Sequence, residues 1–439
     1  MSERQGLKRE GEELAKIKPF KGILYNTKRV NMNRVVAPPY DVISPVMQDE
    51  LYCKDQFNIV RLILGTEAAT DTSKQNKYTR SKKFLDNWLK NKILLKDKKE
   101  SVYVYVQQYL HRGKKKTRIG FFALMKIEDP KESGILPHEY TLSKPKVDRL
   151  NLIKKTRANL SPIFTLFQDE KNKINKTLKA FTKSNTALFT ITADGVTHSF
   201  WRMDSAAIIK NIQSEMQKKK IFIADGHHRY EVALNYRNMM RKTGQFKKSM
   251  DYIMMYFSSL TEKDNLTILS THRAIKDIEG FSEKEFLERA GKYFYISKEK
   301  DKKTLIDYLE ENPGGKHAFG IYLRPNKFYL LKLKDDLQIS KIIKSKKPGI
   351  LKRLDVTVLH DLIINKILGV ENTEGNIKFI RDEDDAVKVV DSGDYRCAFF
   401  LRPTKIAEMK NIAEKGVMMP QKSTYFYPKL LTGLVINKF

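Results

Sequence analysis

A chain of 439 residues exceeds what one ordinary core organises and allows two or three packed domains. Hydrophobic residues at 41%, charged residues at 31%, and 23 Phe with 20 Tyr exclude a disordered tail; no apolar run approaches the roughly 18 residues of a membrane span. The formal net charge of +31 fits a nucleic-acid binder, an enzyme for polyanionic substrates, or a merely lysine-rich surface.

The distribution of that charge favours the surface reading. The basic runs at 114–116, 218–220, 298–303 and 341–347 follow no repeat and lack the interleaved aromatics of a single-strand platform. Cys53 and Cys397 stand far apart without zinc spacing, so neither a disulfide framework nor a structural zinc is expected, and a reducing compartment fits. Residues 1–18 are charged throughout, without the apolar centre of a signal peptide. They read as a frayed or helical extension of a cytoplasmic protein.

Taken in chain order, residues 34–44 (RVVAPPYDVIS) predict a strand running into a Pro-Pro turn, and 45–65 a helix followed by a strand over Asn58–Leu64. Tyr78, Phe84, Leu85, Trp88 and Leu89 recur at helical spacing within 74–93. Alternation over 101–109, then Gly113, then 118–127, predicts a hairpin; so does 186–203 around Asp194-Gly195. Pro137 to Pro162 reads as a polar turn-and-loop stretch. A helix over 205–218, a buried strand over Ile221–Ile223, a helix over Arg229–Lys242 and strands over 252–260 and 266–270 follow. From about 282 the order is helix, strand, strand, helix, ending in a polar-aromatic tail over 418–439. Strands and helices mix without strict alternation, so the fold class is α+β (mixed α/β). Three regions are expected: an N-terminal α/β region (1–130), a catalytic core (131–280) and a C-terminal α/β region (281–439) that contributes to the site.

The sharpest local signal is Ala224-Asp225-Gly226-His227-His228-Arg229, where a short apolar strand meets a helix start. Free N–H groups and the helix dipole make such a terminus an anion site. Gly226 can take a positive φ and lets the backbone approach a phosphate, while His227, His228 and Arg229 add donors. Asp225 would repel phosphate unless a cation intervened, which implies bound Mg²⁺ with Asp225 as its ligand. The bland reading, a capping Asp-Gly with polar first-turn residues, leaves two histidines and an arginine unexplained. Glu139, in Leu136-Pro137-His138-Glu139-Tyr140-Thr141, is a candidate general base, with Lys146, Asp148, Arg149 and Asn159 following. Thr271-His272-Arg273 and Lys422-Ser423-Thr424 with Tyr427 and Lys429 offer further anion contacts. His360 reads as a satisfied core or boundary histidine, and His111, His198 and His317 have no evident partner. Trp88 and Trp201 read as packing residues. No P-loop or Rossmann string occurs.

The strings VVAPPYDVIS, NIVRLILG, LPHEYTL with DRL, SPIF, ADGHHRYEVAL, STHR, LDVTVLH and MPQKSTYFYPKLLTG occur in one order along most of the chain. In that order they resemble a family long known only as a conserved domain of unknown function. It is related to the ParB/sulfiredoxin fold, in which an equivalent turn binds nucleotide phosphates. Within that superfamily ADGHHR also resembles the Asp-Gly-x-His-Arg turn of free serine kinases, and the long form of the family includes pyrophosphate-dependent serine kinases. The resemblance implies a ParB/sulfiredoxin-like core at 131–280 and the reaction of L-serine with pyrophosphate to O-phosphoserine and phosphate, within serine metabolism and cysteine biosynthesis. Glu139 then takes the serine proton, with Asp225 and His228 also catalytic. Phosphates lie on Gly226, His227, His228 and Arg229, with Arg149, Arg273, Lys422 and Lys429 as additional clamps on pyrophosphate or on the substrate carboxylate. His138, Thr141, Ser423 and Thr424 contact the substrate. Alternatives are an ADP- or ATP-dependent serine kinase, the same reaction run in reverse, and a ParB-like nucleic-acid binder switched by nucleotide; the first reading expects no specific nucleic acid and no membrane partner.

Overall fold

The computed structural model describes residues 14–261, 266–276, 278, 280–311, 317–335, 339–370, 375–420 and 422–439. The extension expected over 1–18 lies mostly outside them. The fold is α+β and forms two compact units. The first comprises the described residues within 14–137, 141–267 and 428–439, and the second those within 138–140 and 268–427.

The first unit is built on a nine-stranded mixed sheet. Its order is Ile135–Leu136, Ile221–Asp225, Ile163–Phe167, Tyr252–Ser259, Lys114–Lys126, Val102–His111, Val196–Met203 and Phe189–Ala193, with Ile17–Lys18 pairing along Lys114–Lys126. Both faces of the central strands are covered, so they read as nearly continuous apolar runs. Phe121, Ala123 and Met125 point into an aliphatic core with Ile163, Phe167, Ile209 and Ile212. On the opposite face Tyr105, Phe122, Phe164 and Tyr256 pack ring to ring. Strands from the expected regions 1–130 and 131–280 share this one sheet, so these regions pack as one unit and the boundary near 130 marks no division.

Both expected hairpins form. Arg112-Gly113 and Asp194-Gly195 supply the pairs of positive φ angles that a two-residue turn with the twist of its strands demands. Other expectations fail locally. Residues 58–64 form a short helix, Val60–Ile63, because the Asn58 side chain accepts the Val60 N–H and donates to the carbonyls of Arg34 and Val36. Likewise Met32–Val35 is helical, capped by Asn31, ahead of the Pro-Pro turn. The stretch expected as loop over 137–162 contains the helix Ser143–Thr156; Pro145 falls in its first turn, where a missing N–H leaves no bond unmade. Trp88 and Trp201 are buried packing residues, as expected.

The second unit carries a six-stranded antiparallel sheet in the order Phe294–Glu299, Lys327–Leu333, Ala318–Leu323, Cys397–Phe400, His272–Ile275 and Ile377–Ile380. An additional helix, Lys302–Glu311, stands between the two strands expected to follow one another after 282. His360 is buried on the helical segment Leu359–Ile367. His317 does have a partner, Asp355. Among the described residues no helix is long and apolar enough to cross a membrane.

His198 also has a partner: its Nδ1 meets the Tyr105 hydroxyl at 2.6 Å inside the first unit. Burial, with a smaller contribution from Arg118, pushes the imidazole down to about 4. Between that value and the ordinary 6.5 the unfolded chain binds a proton that the folded chain does not, so acidification through this window favours unfolding. The loss should reach about 3 kcal/mol at pH 4. His198→Gln, which keeps an acceptor for Tyr105 but does not titrate, should flatten this limb in urea denaturation series at stepped pH. An unchanged slope would show that other groups govern it.

Candidate active site

The buried strand Ile221–Asp225 delivers Asp225 to the start of the helix His227–Lys242. Between them Gly226 takes φ +99, a region that side chains disfavour, and a Cβ there would sit 2.9 Å from Arg229 Nε. Glycine is therefore required twice, for its backbone angle and for the space beside Arg229. One turn into the helix, Arg229 donates to one carboxylate oxygen of Asp225 and to the Pro162 carbonyl. Lys429 Nζ donates to the other Asp225 oxygen at 2.5 Å. Burial alone would raise the Asp225 pKa, but Lys429 and then Arg229 hold it well below the usual carboxylate range.

A second group of the same composition lies in this unit. Asp148 accepts from Arg149, from Lys77 Nζ at 2.9 Å and from the Tyr78 hydroxyl at 2.8 Å. Arg149 is buried, donates also to the Ile63 carbonyl at 2.7 Å, and stacks its guanidinium 3.9 Å from the centre of the Tyr40 ring. Arg149 and Arg229 line one cavity of about 60 Å³, together with Tyr40, Asn159 and Ser161. Each carboxylate is thus shared by two cations; Lys77 also pairs with the exposed Glu67 at 2.9 Å, so the two groups together leave one positive charge in excess, at Arg229, Asp225 and Lys429 beside the Gly226 turn. Such an excess in a partly buried setting calls for an anion.

Other expected residues of this unit are engaged locally. His228 Nε2 accepts the Leu142 N–H at 2.8 Å, and the Thr141 hydroxyl donates to Glu231, which Lys146 also contacts at 2.8 Å. His227 is buried at the first turn of the helix. Both oxygens of Asp225 are taken by cations, and among the described residues no group of three or more His, Cys, Asp or Glu side chains could hold a metal ion. The donor set does not fit Asp225 as a metal ligand: its role in this structure is to fix Arg229 and Lys429.

The remaining expected residues belong to the second unit. Glu139 Oε1 accepts from the Thr424 hydroxyl at 3.0 Å and from its N–H at 3.3 Å, and His138 Nε2 meets the same hydroxyl at 3.0 Å. Ser423 donates to the Pro420 carbonyl. Lys422 contributes its carbonyl, which accepts from Arg273 at 3.3 Å. Sequence reasoning did not single out Tyr40 or Lys77. The aromatic inside the Pro-Pro-Tyr-Asp turn was a signal for the first; for Lys77 nothing in the sequence distinguishes it from its many lysine neighbours.

Residues 17–357 match a family described as a protein of unknown function, DUF1015. The chain belongs to the DUF1015 family. The match spans Tyr40, Arg149, the 225–229 turn and Arg273, and stops before the Lys429 that closes on Asp225. No curated protein matches this DUF1015 chain in sequence. Among solved structures, it is similar to a free serine kinase in complex with AMP at 14% identity and TM-score 0.34, over 70% of this chain and 86% of that one. A conserved hypothetical protein from Pyrococcus furiosus aligns at 13% identity and TM-score 0.33, over 70% and 92%. SbnI from Staphylococcus aureus, truncated at its C-terminus, aligns at 9% identity and TM-score 0.34, over 71% and 85%.

Proposed function

We propose that this chain is a phosphotransferase that moves a phosphoryl group from pyrophosphate to the hydroxyl of free L-serine. The observation that carries the reading is the pair of cation–carboxylate–cation triads, Arg229·Asp225·Lys429 and Lys77·Asp148·Arg149, whose arginines line one cavity. A net positive charge suits a phosphoryl group, and rigid guanidinium forks suit its oxygens. The cavity of about 60 Å³ offers phosphate-sized room beside the two arginines. The order of sequence strings supports the ParB/sulfiredoxin-like assignment and the serine acceptor.

In this reading the Gly226 turn, His227, Arg229 and Arg149 hold the donor, and catalysis comes mainly from positioning and charge neutralisation. Glu139, oriented by Thr424, accepts the serine hydroxyl proton. The serine oxygen forms the new P–O bond, the bridging P–O bond of pyrophosphate breaks, and phosphate leaves. Magnesium would come with the donor as its counter-ion.

The test is direct. The protein is incubated with Mg²⁺ and serine, and separately with pyrophosphate, ADP or ATP, and phosphoserine is assayed. Pyrophosphate should support turnover; product only with ADP or ATP would replace the donor, and none with any donor would overturn the reading. Arg149→Ala should then weaken donor binding by about tenfold to a hundredfold, the value of a charge-assisted contact. Calorimetric titration of pyrophosphate into the variant checks this.

A further inference from the structure

Arg273, in the second unit, is 1% exposed. It donates to the carbonyls of Thr271 and Lys422, and its Nε has no hydrogen-bond partner. Among the described residues it makes no ion pair. Its guanidinium lies 5.1 Å from the centre of the Phe379 ring. Burial pushes its pKa down, and the field of Glu139 offsets only part of that. A buried cation held by carbonyls and a ring edge or face, without a counter-charge in contact, costs several kcal/mol. Hydrogen-bond donors left unused at such a position mark a place where something else binds.

What Arg273 faces narrows the choice. It lines a small cavity with Thr271, Thr404, Ser423 and the charged Arg402, Lys405, Asp355 and Glu408. Arg402 is already committed, donating from Nε to Asp355 at 3.0 Å. Asp355 also meets His317, so that carboxylate is used on both sides. Counting Arg273, Arg402 and Lys405 against Asp355 and Glu408, the lining carries one net positive charge beside several hydroxyl-bearing residues. Its volume of about 20 Å³ holds one or two waters. One charge and so little space match the flat, monoanionic carboxylate, which arginine grips through two parallel bonds, better than a tetrahedral dianion.

We infer that Arg273 is the specificity residue for the acceptor, taking the α-carboxylate of a free amino acid in this cavity, with the hydroxyl of Thr271 as a further donor. The inference rests on the proposed acceptor and deepens it. A seryl residue inside a polypeptide has no such carboxylate, so the cavity selects free serine against protein side chains. Arg273 and Glu139 sense each other's charge within one unit, which places the carboxylate grip and the proton acceptor in the same electrostatic neighbourhood.

The test compares ligands that differ only by the carboxylate, without any phosphoryl donor present. Calorimetry on the full chain measures O-phosphoserine against O-phosphoethanolamine, and serine against ethanolamine. The parent should prefer the carboxylate-bearing ligand by about tenfold to a hundredfold. Arg273→Met should lose this preference while unfolding no more readily than the parent, because a buried unpaired charge has gone. Arg273→Lys, which keeps a charge but not the fork, should retain a reduced preference, and it decides the question if the methionine variant fails to fold. A parent without preference, or a folded Arg273→Met that keeps the full preference, overturns the assignment. The two readings fail separately. Absence of phosphoserine formation with an Arg273-dependent carboxylate preference removes the reaction and keeps the site; equal turnover of serine and ethanolamine removes the site and keeps the reaction.

Discussion

Glu139→Gln is expected to reduce phosphoserine formation by about 10²–10⁴-fold, the usual contribution of a positioned base. The substitution preserves size and the ability to accept from Thr424, whose hydroxyl reaches Glu139 Oε1 at 3.0 Å. Donor affinity should hardly change, because the groups assigned to pyrophosphate are others: Gly226, His227, Arg229 and Arg149. A phosphoserine assay beside calorimetry for pyrophosphate gives both quantities. Full turnover in the variant would take the base role from Glu139. Asp148, the next carboxylate suggested by the sequence, is then a poor replacement, since Arg149 and Lys77 hold its pKa down against the opposing effect of burial and leave it a weak base.

Asp225→Asn should cost about 3–5 kcal/mol of stability, the range for removing one partner from a buried ionic group. Lys429 and Arg229 would then face each other without the carboxylate that both contact. The pH dependence follows the depressed pKa of Asp225. Its contribution is complete above the unfolded value of about 3.9 and disappears as pH falls through the lower folded value, so the acid limb of the parent should be shallower in the variant. Phosphate or pyrophosphate, by replacing the missing negative charge, should restore more stability to the variant than to the parent. Denaturation at pH 7 and pH 3, with and without pyrophosphate, measures all three effects. Parent-like stability at pH 7 would mean that the triad contributes little.

The parts of this fold legible in the sequence are those specified locally. Arg112-Gly113 and Asp194-Gly195 name their own turns, and the helix after Gly226 follows from a strand ending in Asp-Gly before an apolar repeat. What the sequence hides depends on distant partners. Asn58 turns an apolar run into helix through carbonyls 22 and 24 residues away. The three-region division fails because strand pairing ignores chain distance: Tyr252–Ser259 lies beside Lys114–Lys126. At the site, the turn residues are evident from their own types and order. The partnership of Asp225 with Lys429 is not, since a lysine in a lysine-rich tail carries no mark of its partner, and the carboxylate without it reads as a metal ligand.

The bond between Asp225 and Lys429 spans 204 residues, and Arg118 reaches the Pro428 carbonyl across 310. Contacts of such sequence separation are slow to find, because the intervening chain must first lose its freedom. At a synthesis rate of about 5–20 residues per second, Lys429 follows Asp225 out of the ribosome after about 10–40 s. Until then Asp225 has Arg229 as its counter-charge and lacks the second cation. Residues 268–427, meanwhile, form most of the second unit and are complete before the first unit receives its closing segment. The Gly226 turn is therefore among the last parts of the first unit to gain all its partners.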